Sequence, residues 1–352
     1  MKKSLPYNQE KANPVRGRGR QKRPASNGAK KSLGQNWLKS ESALNEIIKA
    51  ADLQVNDLVL EVGPGRGVLT EKLLAFCPDT SKKVGVPTAP HWDFQLSGGN
   101  EEEKRKGAKV IAVEKDDRLI ELLKEKFAEE IKEGQLTLIH DDILKLDFSN
   151  FLRMDSRLPL HLKLRRTNCG NDKVRGYKLV ANIPYYITGQ VIRKFLSEEK
   201  IQPSRIVLML QKEVARRIVA THKKPHKTAS GHWAKESLIS IAVKAYGEPK
   251  YIKTVSANAF LPKPKVDSAI LLVQNISRNN FYDVSEQEFF AILKKGFAQK
   301  RKKLAGNLKL KKGELVACGL SENVRAEELS VNNWFCLAKL LKKVFKKWGN
   351  LS

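Results

Sequence analysis

Short apolar runs alternate with segments of helical spacing through the first two thirds of the chain. The runs predict buried strands at 58–63, 109–114, 135–142, 178–183 and 205–210. The segments of helical spacing predict helices at 68–76, 117–131 and 189–198, and Ser40 is a plausible cap for an earlier helix. Buried strands that alternate with amphipathic helices are typical of a mostly parallel, doubly wound α/β sheet.

The pattern changes after residue 212. The runs SLISIAVKAY (237–246) and SAILLVQNI (268–276) are longer and predict a final pair of antiparallel strands. From Val284 onward the apolar positions again have helical spacing. We therefore expect a Rossmann-like domain over 32–280 and a small C-terminal helical domain over 284–352.

Three segments fit neither pattern. Residues 1–31 are rich in Pro, Gly, Lys and Arg, which predicts a disordered basic arm. Residues 79–107 and 153–176 are irregular and interrupt connections between strands and helices. They predict surface insertions, because loops tolerate extra length at small cost.

The net charge points to a partner. The chain has 66 Lys and Arg against 38 acidic residues, a net charge of +28. Residues 1–30 carry nine basic residues and one acid, and residues 284–352 carry fifteen and six. A solvated surface is the alternative, but this excess is more than solubility needs and favours a polyanion, nucleic acid before membrane.

Other classes of protein are disfavoured. No run approaches about 18 apolar residues, which excludes a spanning helix, and the N-terminus lacks the apolar core of a secretion signal. We expect a cytoplasmic protein, with an organellar address as the weaker alternative. The four scattered cysteines fit a reducing compartment and predict neither a disulfide framework nor a zinc site. The histidine-rich segment 222–232 predicts an exposed basic loop rather than a zinc site.

The first predicted strand ends in a glycine motif, EVGPGRG (61–67). Gly63, Gly65 and Gly67 permit a tight turn and a close approach of the backbone to a ligand, and the following helix offers unpaired N–H groups. Dinucleotide enzymes use a similar turn, so the motif alone is not specific. No lysine follows that would cradle a phosphate, which excludes a Walker loop.

An acidic residue closes each of the next two strands. Glu114 lies about 20 residues after the glycines once the insertion is removed, the spacing of an acid that binds ribose hydroxyls. Asp142 ends the third strand and can accept from an adenine amino group. A solvent-facing strand end is the alternative for Glu114, and Asp141 is the competitor of Asp142.

The fourth strand ends in Asn182-Ile183-Pro184-Tyr185. The Asn182 side-chain oxygen and the Ile183 carbonyl can accept the two hydrogens of an amino group on a planar base, because Pro184 imposes an extended bend. Tyr185 offers an aromatic face for stacking. We interpret this segment as a clamp for a target base, and an ordinary strand-to-helix turn is the alternative.

Together these motifs resemble the ribosomal RNA adenine N6-dimethyltransferases of the KsgA type. The resemblance runs from about Lys31 to Lys312 and includes KSLGQNWL (31–38), EVGPGRGVLT (61–70), VEKD (113–116), DDIL (141–144), NIPYYIT (182–188), LMLQKEVARRIVA (208–220), FLPKPKVDSAI (260–270) and FAQKRKKL (297–304). It implies a class I S-adenosylmethionine-dependent methyltransferase fold. It also implies two methyl transfers to adenine N6 in ribosomal RNA of the small subunit.

The resemblance implies roles for matching residues. The cofactor contacts are Asn36, Leu38, the glycine loop (Gly63, Gly65 and Gly67), Glu114 for ribose, Asp142 for adenine, and Asn182. The catalytic residues are Asn182, Ile183, Pro184 and Tyr185, with Phe260 as a second aromatic wall for the target base. Trp37 stands where the family usually has Phe, and the segment after residue 220 is longer than usual.

The basic run KRKKLAGNLKLKK (300–312) contains no acid. It predicts phosphate contacts by Lys300, Arg301, Lys302 and Lys303, with a solvated helix face as the alternative. We expect a monomer that needs S-adenosylmethionine and no metal and acts on the small ribosomal subunit. Two rivals stay open: a resistance-type methyltransferase acting on large-subunit RNA, and a non-catalytic RNA-binding assembly factor on the same fold.

Overall fold

The computed structural model describes residues 34–54, 57–76, 108–154, 176–220 and 235–348. The predicted basic arm, nearly all of both predicted insertions and the histidine-rich segment lie outside the described residues.

Nine strands are found in the described residues. They are β1 (Trp37–Leu38), β2 (Leu58–Val62), β3 (Lys109–Glu114), β4 (Leu136–His140), β5 (Lys178–Asn182), β6 (Arg205–Gln211), β7 (Glu248–Val255), β8 (Phe260–Leu261) and β9 (Ser268–Gln274). Seven form one sheet in the order β4-β3-β2-β5-β6-β9-β7, while β1 and β8 pair separately. The first five in that order are parallel, and β9 and β7 are antiparallel. The predicted α/β architecture is confirmed.

The helices of the described chain flank this sheet and continue beyond it. They are α1 (Glu41–Ala51), α2 (Val68–Leu74), α3 (Asp117–Lys126), α4 (Ala128–Lys132), α5 (Phe148–Met154), α6 (Thr188–Arg193), α7 (Lys212–Val219), α8 (Leu238–Lys244), α9 (Glu286–Gly296), α10 (Leu304–Leu308) and α11 (Val331–Trp348). Ser40 caps α1 by accepting from Ala43 N, and Ser285 and Glu288 form a capping box at α9. Within the described ranges, no helix is long and apolar enough to span a membrane.

Alternate residues of each central strand face opposite layers. In β2, Leu58 and Leu60 belong to a core shared with α5, α6 and the C-terminal helices, whereas Val59 belongs to a core shared with α1 and α2. Burial on both sides explains why the strands read as continuous apolar runs. The helices after Val284 thus pack on one of the two cores of the sheet.

The chain order within the sheet reverses between β2 and β5. From β2 the chain proceeds outward to β3 and β4, then returns to β5 on the other side of β2. In open parallel sheets, ligands bind outside the carboxyl ends of the strands at such a point. Glu61 lies opposite Val180 across this pair, so the ends of β2 and β5 open into the same crevice.

The prediction that 237–246 is a strand is wrong, because most of this segment forms α8. Ser237 caps the helix in a box with Ser240, and Lys244 near its end pairs with Glu236. A short apolar run does not distinguish a buried helix from a buried strand. The antiparallel partner of β9 is instead β7, which carries Pro249 and two lysines, as edge strands often do.

Two predicted helices have interruptions. The single helix expected at 117–131 is divided into α3 and α4 at Phe127, whose backbone leaves the helical region. The helix expected at 189–198 begins at Thr188 and continues after Arg193 as a π-helical turn.

Two cysteines of the C-terminal region are bonded. Cys318 lies in a short helical turn and Cys336 in α11, with Cα atoms 5.9 Å apart, and their sulfurs form a disulfide. The expectation that the scattered cysteines form no disulfide framework therefore overlooked this bridge. Cysteines separated by 18 residues gave no spacing signal, since only the packing of α11 brings them together.

Candidate active site

A pocket lies at the carboxyl ends of β2, β3 and β5, where the strand order reverses. Its lining contains eleven of the predicted site residues: Asn36, Leu38, Gly63, Gly65, Glu114, Asp142, Asn182, Ile183, Pro184, Tyr185 and Phe260. Six chain segments distant in sequence thus converge on one cavity. Gly67 and the basic run at 300–303 do not line it.

The glycine loop bends between β2 and α2 with positive φ at Gly63, Gly65 and Gly67. A Cβ atom at Gly67 would lie 2.5 Å from Phe127 Cε2, so side chains of α3 and the α3–α4 break fill the space behind the loop. A Cβ atom at Gly63 would meet nothing within 4 Å. Gly67 therefore serves packing, while Gly63 leaves open space on the pocket side.

Glu114 ends β3 with its carboxylate held in place. Its Oε2 accepts from Gly65 N at 3.1 Å, and its Oε1 accepts from Lys115 N and Asp116 N, both at 2.9 Å. Burial raises the pKa of Glu114, and these three backbone N–H groups oppose that rise. The side chain thus joins β3 to the glycine loop and still lines the pocket.

Asp142 follows β4 and forms an ion pair with Lys115, at 2.8 Å between Oδ2 and Nζ. Its Oδ1 accepts from Leu144 N at 3.0 Å. Partial burial acts to raise the pKa of Asp142, but the bonds from Lys115 and Leu144 outweigh it and hold the pKa below its ordinary value. Lys115, which sequence reasoning did not single out, lies beside the predicted adenine acceptor.

Two further polar side chains line the glycine-loop end of the pocket. Glu61 is 1 % exposed, and burial raises its pKa to about 8; the Thr70 hydroxyl opposes that rise and the neighbouring Glu114 charge adds to it. Glu61 Oε2 and Trp37 Nε1 are buried without a hydrogen-bond partner among the described residues. The sequence did carry a signal for Glu61, because an acid interrupts the apolar run LVLEV.

These features fit the expected cofactor. Carboxylates at Glu114 and Asp142 suit ribose hydroxyls and an adenine amino group, and the space over Gly63 lets a ligand approach the backbone. The buried polar atoms of Glu61 and Trp37 lack partners at the same end, which suits a ligand with several polar groups. These acceptors and the open space over Gly63 thus fit a nucleoside ligand.

At the other end of the pocket, Asn182 closes β5. Its Nδ2 donates to the Asn36 carbonyl at 3.3 Å, which leaves the side-chain oxygen as an acceptor. Tyr185 follows in a short helical turn and is half-buried, with its hydroxyl 2.6 Å from Ser268 Oγ. Asn182 thus lies between the segment with Asn36 and the aromatic ring of the turn.

Phe260 is brought to the pocket by a strand pair that the sequence did not predict. β1 pairs with β8 so that Leu38 lies opposite Phe260 and Trp37 opposite Leu261. Lys39 N also donates to the Ala259 carbonyl at 2.8 Å. This pairing joins two predicted site segments that lie more than 200 residues apart in the chain.

Trp37 links the same segment to the glycine loop. The Arg66 guanidinium lies 4.0 Å from the centre of the Trp37 ring, and a Cβ atom at Gly65 would lie 3.2 Å from Trp37 Cδ1. The indole therefore packs on the loop and limits the size of residue 65.

The predicted RNA contacts lie apart from the pocket. Lys300, Arg301, Lys302 and Lys303 are all exposed in the turn between α9 and α10. Lys303 Nζ donates to Asn323 Oδ1 at 2.6 Å. The run is a turn rather than a continuous helix face, so its cations are presented together at the surface.

Comparisons with known proteins identify similar ribosomal RNA methyltransferases. The family model described as ribosomal RNA adenine dimethylase matches residues 26–86 and 103–343. The ribosomal RNA small subunit methyltransferase A of Dehalococcoides mccartyi is 38% identical over 314 residues, covering 87% of this chain and 86% of that protein. The protein of the same name from Lactobacillus johnsonii is 34% identical over 330 residues, covering 89% and 91%.

Two solved structures share the fold. A dimethyladenosine transferase from Plasmodium falciparum has a TM-score of 0.57 and 24% identity, covering 88% of this chain and 98% of that one. The 23S rRNA methyltransferase ErmE has a TM-score of 0.55 and 18% identity, covering 87% and 100%. At these identities the likeness shows the fold alone.

Proposed function

Because the chain belongs to the ribosomal RNA adenine dimethylase family, we propose that it methylates adenine N6 twice in small-subunit ribosomal RNA. The methyl donor is S-adenosylmethionine, and the product is N6,N6-dimethyladenine. The assignment to the small subunit rests on relatives at 31–38% identity that are named for that subunit. The likeness to the 23S enzyme does not separate the two subunits, since it extends only to the fold.

One observation carries the proposal from the structure. The Asn182 amide group donates its N–H to the Asn36 carbonyl, which leaves its oxygen as an acceptor, and the next residue, Ile183, also lines the pocket. Two acceptors at one place can bind both hydrogens of an exocyclic amine. They orient the lone pair of the adenine nitrogen toward the glycine-loop end of the pocket.

The rest of the site positions the reactants. Glu114 and Asp142 would hold the ribose and adenine of the donor, and the loop at Gly63 its amino-acid end. When bound, S-adenosylmethionine would supply a methyl group from its positively charged sulfur, which leaves as a neutral thioether, and the adenine nitrogen would release one proton to solvent at each transfer. Tyr185 and Phe260 would hold an adenine that has been turned out of the RNA stack. Such positioning can lower the barrier by several kcal/mol, of the order seen for well-oriented reactants.

The proposed activity is tested with ribosomal particles. The purified protein is incubated with labelled S-adenosylmethionine and undermethylated small or large subunits, and the digested RNA is analysed by mass spectrometry. We expect N6,N6-dimethyladenine in small-subunit RNA alone. Methylation of large-subunit RNA would favour the resistance-type rival, and binding without methylation would favour the assembly-factor rival.

We also propose that the basic turn at 300–303 contacts RNA phosphates. Replacing its four cations with alanine should lower the slope of log K against log salt by about 3 if all four contact phosphates of single-stranded RNA. Lys124→Ala with Lys132→Ala is a control, because both are exposed on helices beside β4 at the far edge of the sheet. An unchanged slope in the first variant would remove the turn from the RNA interface.

The finer expectations are proposals as well. We propose that the protein acts as a monomer in the cytoplasm and that the arm at 1–31, which lies outside the described residues, contacts RNA. Light scattering after size-exclusion chromatography measures the oligomeric state. Deleting residues 1–31 should reduce the salt dependence of RNA binding and leave cofactor affinity unchanged.

A further inference from the structure

The hydroxyl of Ser268 forms a hydrogen bond with the hydroxyl of Tyr185. Its Oγ lies 2.6 Å from the Tyr185 hydroxyl, and the serine itself is fully buried. Ser268 is the first residue of β9, where it pairs with Gln211 of β6 on one side and Val255 of β7 on the other. A hydroxyl fixed between two strands is a rigid anchor for the tyrosine.

The residue before it holds the segment of the second aromatic wall. Asp267 Oδ1 accepts from Ala257 N at 3.2 Å, in the turn that leads into Phe260. Asp267 Oδ2 pairs with Lys212 Nζ at 3.1 Å, and the Asp267 carbonyl accepts from Lys212 N at 3.0 Å. The hydrogen bond from Lys212 Nζ, the hydrogen bond from Ala257 N and the charge of Lys212 hold the pKa of the Asp267 carboxyl below its ordinary value.

The two walls of the target-base slot are therefore anchored to adjacent residues. Tyr185 comes from the end of β5 and Phe260 from β8, yet both are tied to the start of β9 through Ser268 and Asp267. Because β9 lies inside the sheet, the backbone pairing of β9 helps to fix the spacing of the two rings.

We propose that Ser268 is a positioning residue that fixes the Tyr185 ring and thereby sustains the second methyl transfer. The inference rests on the proposed function and deepens it. After one transfer the amine carries a methyl group and a single hydrogen, so the base has one hydrogen bond fewer to hold its orientation. The rings of Tyr185 and Phe260 then contribute more to the alignment of the base. A Tyr185 ring that is free to turn therefore lowers the rate of the second transfer more than the rate of the first.

The test compares two variants that break the same hydrogen bond from opposite sides. Tyr185→Phe keeps the ring, and Ser268→Ala keeps the buried strand. Each should slow the second transfer relative to the first by about threefold to tenfold, the range that one neutral hydrogen bond can contribute. Single-turnover time courses with mass spectrometry of mono- and dimethyladenine give the two rates, and calorimetry should show unchanged cofactor affinity.

Non-additivity separates positioning from general destabilisation. The double variant Tyr185→Phe/Ser268→Ala should be no worse than either single variant, because all three lack the same bond. Ser240→Ala is the matched control, since Ser240 is equally buried but bonds Glu236 beside α8, away from the pocket. It should lower stability without changing the ratio of the two rates. Ser268→Thr, which keeps the hydroxyl, should restore most of the ratio.

Each outcome has one interpretation. If the unmodified protein forms no dimethyladenine on small subunits, the proposed function fails. If it does, and both single variants keep the normal ratio of rates, the positioning role of Ser268 is wrong. Additive effects in the double variant would show that Ser268 does not act through Tyr185. If Ser268→Ala does not fold, Tyr185→Phe alone decides, because it removes the bond and leaves the strand intact.

Discussion

At the glycine-loop end of the pocket, the buried Trp37 Nε1 and Glu61 Oε2 have no hydrogen-bond partner among the described residues, whereas at the target-base end Tyr185, Asn182 and Asp267 all do. A buried polar atom without a hydrogen-bond partner lowers the free energy of unfolding by about 1–3 kcal/mol, so such atoms are expected where a bound ligand or another interaction compensates. The first end is thus built to be completed by a ligand. The second end is already assembled, as a site must be if it aligns a reacting group.

The strongest test of the assembled end is Asn182→Ala. The bond to the Asn36 carbonyl fixes the amide whose oxygen we propose orients the target amine, and such an acceptor gains strength as charge develops on the nitrogen. We expect the methylation rate to fall by about 10²–10³-fold, as when one preorganised hydrogen-bonding group is lost. RNA affinity should change little, which a binding assay at fixed salt measures. Near-normal dimethylation by a folded variant would mean that residues 182–185 form only a turn.

Glu114→Ala tests the end that awaits a ligand. Loss of a charged hydrogen bond to the ribose should weaken cofactor binding by about 1.5–3 kcal/mol, or about 10–150-fold. Calorimetry measures the affinity, and Asp117→Ala, an exposed neighbour at the start of α3, is the control. Because Glu114 also holds Gly65 N, thermal unfolding must show that the variant is folded. Unchanged affinity in such a variant would refute the ribose assignment.

Part of the difference between the two ends could be predicted from the sequence. Continuous apolar runs revealed the five parallel strands, because burial on both faces leaves a strong pattern. The glycines follow the first of those strands, and Glu114 and Asn182 end two others, so their convergence was predictable from the parallel order. Glu61 was not predicted as a site residue although the sequence carried a signal for it. The signal is an acid inside a buried apolar run, which costs free energy unless another interaction compensates for it.

Other features depend on tertiary contacts that leave no local pattern. The pair of β1 and β8 has two residues in each strand, too few to show a period of two, yet it brings Asn36 near Phe260. In the sequence, Ser268 is only the first residue of an apolar run. The fold shows that its hydroxyl forms a hydrogen bond with Tyr185. The segment at 237–246 was wrongly predicted as a strand, because its helix is defined by the Ser237 cap and by packing rather than by apolar spacing.

Glu61 makes the stability of the protein depend on pH. Burial raises the pKa of Glu61 from 4.5 to about 8, so the folded protein holds a proton that the unfolded chain has released. Stability from this group is therefore complete below about pH 4.5 and declines as pH rises toward 8, by a total on the order of a few kcal/mol. Denaturant titrations at pH 5 and pH 8 should show a smaller decline in Glu61→Gln than in the unmodified protein. Parallel declines would mean that Glu61 is ionised in the folded state.

The smallest expected effects come from two substitutions that each remove one polar group from an aromatic side chain. Tyr185→Phe deletes a hydroxyl with a partner and leaves Ser268 Oγ buried without it, which should cost about 1 kcal/mol of unfolding free energy. Trp37→Phe deletes an N–H without a partner and keeps an aromatic ring between Arg66 and Gly65. The relief of that unpaired donor offsets the packing lost with the smaller ring, so the net change should be below about 0.5 kcal/mol.

The ranking of these two substitutions separates hydrogen bonding from packing. By volume alone Trp37→Phe should be the more harmful, because it removes several atoms where Tyr185→Phe removes one. If the satisfied and unsatisfied ends differ as described, the order is reversed, and Tyr185→Phe has the lower unfolding free energy in denaturant titrations without cofactor. A larger loss in Trp37→Phe would show that the packing of the indole outweighs any relief from removing its N–H. The contrast between the two ends would then have to be given up.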